Sequence, residues 1–163
     1  MKTIKQYQFL GLFHGAITTF LGLLGGIGLT FAVIGEVSVW PFFSTNWLIP
    51  GEISLWRAAH TGPLMNGVMC IVFSMTIAFF PTQIKSGRNI VYSMIFMCWG
   101  NNMFYFFRIW SVNRGLSMDT EKYGAGGFMD FISYVPPLLA IPITIYATLL
   151  LSTMAWRAYK ASA

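Results

Sequence analysis

The sequence predicts an all-α integral membrane protein, a four-transmembrane-helix bundle with its N and C termini cytoplasmic, and three observations carry that prediction. Of 163 residues, 56% are apolar and only 9% charged, against about 25% charged in an ordinary soluble domain. Four apolar stretches reach the roughly 20 residues that a bilayer core requires. Basic residues without acidic neighbours fall at alternate breaks between those stretches, as cytoplasmic segments do.

The helices are expected over about 8–34, 62–80, 89–110 and 131–156, together forming a single transmembrane domain over 1–163. The first stretch is far longer than the about 7–15 apolar residues of a signal peptide and lacks a small-residue cleavage pattern, so it reads as a retained helix. Its Gly22, Gly25, Gly26 and Gly28 read as close helix packing rather than a nucleotide loop. A long loop is expected over 35–59, a short one over 83–88 and a Gly-rich one over 111–127, with no strand alternation, repeat or soluble domain.

Charge sets the expected orientation. Lys2 and Lys5, then Lys85 and Arg88, then Arg157 and Lys160 flank the stretches without any acidic residue, whereas Glu36, Glu52, Asp119, Glu121 and Asp130 all fall at the opposite breaks. The positive-inside bias assigns the first three groups to the cytoplasmic face of the cell inner (plasma) membrane. The net charge of +5 therefore reads as topology, and no nucleic-acid partner is expected. Cys70 and Cys98 have neither CxxC spacing nor metal-ligand company, which argues against a disulfide framework or a zinc site.

Polar side chains inside a membrane mark cavities or partners. One cluster, Trp56-Arg57-Ala58-Ala59-His60-Thr61-Gly62-Pro63-Leu64-Met65-Asn66-Gly67, opens the second helix; the other, Trp99-Gly100-Asn101-Asn102-Met103-Phe104-Tyr105-Phe106-Phe107-Arg108, closes the third. At 1.5 Å per residue Asn66 lies about 9 Å below His60, and Tyr105 and Asn101 lie about 7 and 13 Å below Trp110, so one outer layer holds all four. Asn101, Tyr105 and Arg108 share a helix face. His60 reads either as a hydrogen-bonding residue at a helix start or as a metal ligand. Zinc would need three or four protein ligands, whereas one neutral imidazole suffices for haem iron. His14 lies toward the other end of the first helix and reads as structural, which disfavours two histidines on one iron. Asn66 and Asn101 read equally well as interhelical hydrogen-bonding groups, and Tyr105 as an interfacial aromatic.

The stretch WRAAHTGPLMNG, followed by WGNNMFYFF and then NRGL, resembles the styrene oxide isomerases over most of the chain from about Trp56 to Pro137. The resemblance implies a homotrimer with haem b (ferric) between subunits and a redox-neutral rearrangement of an aryl epoxide to the aldehyde. It further implies His60 as the haem iron ligand, Asn66 and Tyr105 as the polar groups beside the substrate, and Trp99 and Asn101 as cofactor-side residues. Met97 stands where the family pattern commonly has an acidic residue. On a helix, Asn66 is rotated about 120° from His60, so a haem between protomers would let one copy supply His60 and its neighbour Asn66 and Tyr105. The competing readings are a haem-binding membrane sensor or electron-transfer subunit, and a cofactor-free structural or transport subunit.

Overall fold

The computed structural model of the chain describes residues 3–162; Lys2, one of the N-terminal basic residues used for orientation, lies outside them. Four long helices dominate: α1 (Ile4–Ile34), α2 (Ile53–Thr76), α3 (Ile84–Phe107) and α4 (Phe128–Ser162). Short 3₁₀ turns, Ile77–Phe79 and Arg108–Trp110, extend α2 and α3. The helix α1 starts with a capping box in which Thr3 and Gln6 exchange side chain-to-backbone hydrogen bonds, and it ends at Gly35 in the left-handed conformation.

Three of these helices, α1, α2 with its 3₁₀ turn, and α4, are long and apolar enough to cross a membrane. The fourth, α3, has a similar length but carries Lys85, Arg88, Asn89, Asn101 and Asn102. Of these only Asn102 is buried, and Lys85 and Arg88 stand exposed in the first turns of the helix. It packs against α1, α2 and α4, so a face that includes Gly87, Ser93, Gly100 and Asn102 is buried by protein.

The second helix begins nine residues before the expected position 62. Pro63 lies well inside α2, and His60 stands within the helix rather than at its start. A proline inside a helix leaves the carbonyl four residues earlier without its amide donor. Here that carbonyl belongs to Ala59, and it faces Gly25 of α1 so closely that a methyl group at Gly25 would overlap it. Tyr7, Gly11, Gly15, Thr18, Gly22, Gly25 and Gly28 form the buried stripe of α1. Gly15 meets Gly67 and Ile71, Gly22 meets His60 and Leu64, and Gly28 meets Trp56, an antiparallel pairing in which absent side chains let two backbones touch. The expectation of close packing at Gly22, Gly25, Gly26 and Gly28 is met.

Two small hairpins occupy the loops, where no strand was expected: β1 (Val37–Val39) with β2 (Phe43–Thr45), and β3 (Asp119–Thr120) with β4 (Gly124–Ala125). The contacts of Gly11 with Ser74, Gly62 with Tyr105, and Gly100 with Pro136 show that successive helices alternate in direction. Lys5, Lys85, Arg88, Arg157 and Lys160 consequently gather at one end of the molecule, and all five acidic residues gather at the other.

The α1–α2 seam gives a direct test. Gly25→Ala is expected to destabilise the fold by about 1–3 kcal/mol through overpacking, whereas Gly127→Ala, with nothing within 4 Å of the added methyl, should be near neutral. Thermal unfolding of both variants in the same detergent measures the difference.

Candidate active site

His60 is half-buried on the side of α2 that meets α1, where its Nδ1 lies 2.8 Å from the Gly22 carbonyl oxygen. A carbonyl can only accept, so Nδ1 carries the proton and the lone pair of the neutral ring resides on Nε2. Nε2 makes no hydrogen bond among the described residues. Gly26 completes the seat, since a methyl there would come within 2.8 Å of the same Nδ1.

Tyr105 lies on the other side of α2. Its ring is seated on Gly62, where a methyl group would overlap it. Residues 60 and 62 are separated by about 200° of helical rotation, while 62 and 66 differ by about 40°. Asn66 therefore shares the α3 side with Gly62: it is buried, and its backbone carbonyl accepts from the Cys98 thiol of α3 at 3.3 Å. The sequence layer is thus divided into two faces, with His60 toward α1 and Asn66 and Tyr105 toward α3.

The second face is concave. Helix α4 lies along α3 and its 3₁₀ turn without a comparable seam to α1 or α2, which leaves a trough between α2 and α4 floored by α3. A cleft of about 330 Å³ at one end is lined by Asn101, Phe104, Tyr105, Leu116, Tyr134 and Ile141. It shares Asn101 and Ile141 with a second cleft of about 250 Å³ that reaches Met69 and Met97. Met69 also borders a groove of about 500 Å³ along α2 that includes Asn66. Asn66, Asn101 and Tyr105 are thereby distributed along one trough.

Not every candidate points into it. The Trp99 indole donates to His14 Nδ1 of α1 at 3.2 Å, so it is turned away from the Asn101 cleft. Arg108, expected on the Asn101–Tyr105 face, stacks its guanidinium at 4.5 Å over Phe104, which lines the same cleft as those two residues. Met97 is buried in the apolar core and forms part of the trough floor. Cys70 and Cys98 are free and buried, and no metal-binding group of three or more His, Cys, Asp or Glu occurs among the described residues.

Two features escaped the sequence reading. Asn102 is 4% exposed, and its carboxamide makes no hydrogen bond within the described residues; only its place in the Asn-Asn pair distinguished it. The loop before α4 is organised by Asp130, whose carboxylate accepts from the Ser111 hydroxyl, from the Asn113 amide at 2.6 Å and from the Gly127 amide at 2.9 Å. The Asn113 side chain in turn donates to the Met118 and Gly124 carbonyls and accepts from Thr120. Asx and glycine turn chemistry was the available signal. Arg114 then ties this loop to Glu52, at the start of α2, by a 2.6 Å ion pair.

The family model described as styrene oxide isomerase matches residues 7–156. The chain belongs to the styrene oxide isomerase family. A curated relative, the styrene-oxide isomerase of Pseudomonas fluorescens, is 31% identical over 126 residues, covering 77% of this chain and 75% of that protein. The chain is accordingly an epoxide isomerase, and its membrane character follows from the three long apolar helices.

Asp130→Ala should leave the Asn113 and Gly127 amides without their acceptor and cost about 2–4 kcal/mol. Limited proteolysis is expected to reveal new cleavage between Ser111 and Gly127. A loop as resistant as the parent's would show that Asp130 does not hold it.

Proposed function

We propose that the chain catalyses the redox-neutral rearrangement of an aryl epoxide of the styrene oxide type to the corresponding aldehyde, using a haem b held between copies of the chain. The observation that carries this reading is the state of His60: its Nδ1–H is committed to the Gly22 carbonyl, which leaves Nε2 as a free σ-donor. A half-buried neutral imidazole oriented by a backbone carbonyl has the chemistry to hold a haem iron, and His60 would be the residue that does so. When bound, ferric haem supplies a Lewis-acid iron to an epoxide oxygen.

The chain's own groups account for the rest. Tyr105 and Asn66 donate hydrogen bonds toward the epoxide oxygen and stabilise the negative charge that accumulates there as the benzylic C–O bond breaks. The hydrogen on the neighbouring carbon migrates with its electron pair to the benzylic carbon, and the oxygen lone pair closes the carbonyl. Substrate and product are isomers, so neither reductant nor nicotinamide enters. The apolar walls contributed by Phe104, Met97 and Ile141 exclude the water that would otherwise capture the cation as a diol.

His60 and the Tyr105–Asn66 pair lie on different sides of α2. This supports a homotrimer in which one protomer contributes His60 and its neighbour the trough. A monomeric, haem-loaded protein with full activity would overturn that arrangement. The segregated charges and alternating helices support four spans with both ends in the cytoplasm of a cell with this chain in its inner membrane; α3 crosses in the company of the other three.

His60→Ala is expected to abolish haem retention or shift the Soret band. Tyr105→Phe should keep the parent spectrum and lower turnover of styrene oxide by about 10²–10³-fold. Because a methyl at Gly62 displaces the Tyr105 ring, Gly62→Ala should also lose turnover while keeping haem. Parent-like haem content in His60→Ala would falsify the ligand assignment, and parent-like turnover in Tyr105→Phe would remove its hydroxyl from the reaction.

A further inference from the structure

We propose that α4, which carries none of the motif residues at the site, sets the substrate range: the aryl arm of the epoxide lies in the α3–α4 cleft, and Ile141 and Tyr134 determine which arms fit. The inference rests on the isomerase reading, because Asn101 and Tyr105 form the polar side of this cleft.

The cleft has one polar wall and several apolar ones. Asn101 and Tyr105 come from α3; Phe104 lies beside them, Leu116 enters from the loop, and Tyr134 and Ile141 face them from α4. Its volume of about 330 Å³ is at the lower end of the roughly 300–1,000 Å³ typical of small-molecule sites, suited to a single-ring ligand. The rim is apolar: Leu116 is 62% and Ile141 58% exposed. Since α4 packs on α3 and its 3₁₀ turn with no comparable seam to α1 or α2, the cleft stays open along its apolar rim, the side by which a neutral aryl epoxide enters. Ile141 also borders the neighbouring cleft beside Asn101 and Met97, so its bulk sets how far a ring substituent extends past Asn101. Being largely exposed, it can be replaced without disturbing the core.

Two measurements on the haem-loaded, detergent-solubilised protein test this. In the first, kcat/KM is compared for 4-tert-butylstyrene oxide and styrene oxide. Ile141→Phe should lower the ratio of the two about tenfold and Ile141→Ala should raise it, as expected for gaining or losing methylene-sized space in an apolar pocket, with the Soret band unchanged. Ratios equal to the parent's in both variants, or parallel changes for both substrates, would overturn the proposal. In the second, the parent is photolabelled with 3-phenyl-3-trifluoromethyl-diazirine and the adducts are mapped. Labels within 134–141 that styrene oxide displaces support the proposed seat even in a protein without turnover, an outcome in which the isomerase reading alone falls. Labels confined to other segments, or undisplaced by styrene oxide, overturn it.

Discussion

The backbone contact between α1 and α2 is the constraint on which the rest of the molecule depends. Within a membrane the hydrophobic effect does not drive helices together, so association depends on close packing and hydrogen bonding. The glycine stripe of α1 supplies the packing, and Pro63 leaves the Ala59 carbonyl free where Gly25 comes against it. Gln8 adds a hydrogen bond to the Met75 carbonyl at the opposite end of the seam. With α1 and α2 fixed in register, the side chains of α2 are divided between two neighbours.

That division organises the chemistry. The carbonyl of Gly22, on the same stripe, selects the imidazole tautomer of His60, so helix packing and the orientation of this ring share one origin. Gly62 performs the corresponding task on the far side, where the absence of a side chain lets the Tyr105 ring lie flat against α2. The Asp130 knot and the Arg114–Glu52 pair then hold the loop beside the mouth of the trough. Residues only a few positions apart on one helix thus serve opposite faces, the arrangement on which the proposed sharing of a site between copies rests.

Much of this was legible in the sequence because it is periodic or charged. The four long apolar stretches appear as four helices, and the glycines of α1 carry their packing role without ambiguity. The start of α2 was misplaced because an uninterrupted apolar run begins only after Arg57 and His60, whereas the helix extends back to Ile53, where Leu55, Trp56 and Ala59 pack against the rest of the protein. Arg108 stacks over Phe104 one helical turn earlier, the i, i+4 contact of a regular helix, where the sequence reading grouped it with Asn101 and Tyr105. Trp99 sits in the motif yet pairs with His14, 85 positions away, and Asp130 gathers donors from a loop up to 19 positions earlier. Such long-range hydrogen bonds have no periodic signature.

The polarity of α3 bears on what it can be by itself. Its asparagines and basic residues are costly for a solitary helix in hydrocarbon, and its buried face is completed by α1, α2 and α4. Only residues 80–83 separate the 3₁₀ end of α2 from the start of α3, so the two form one helical hairpin and α2 stays beside α3 wherever α3 lies. The cover over Asn102 is thus a property of the assembled bundle and not of the α3 segment.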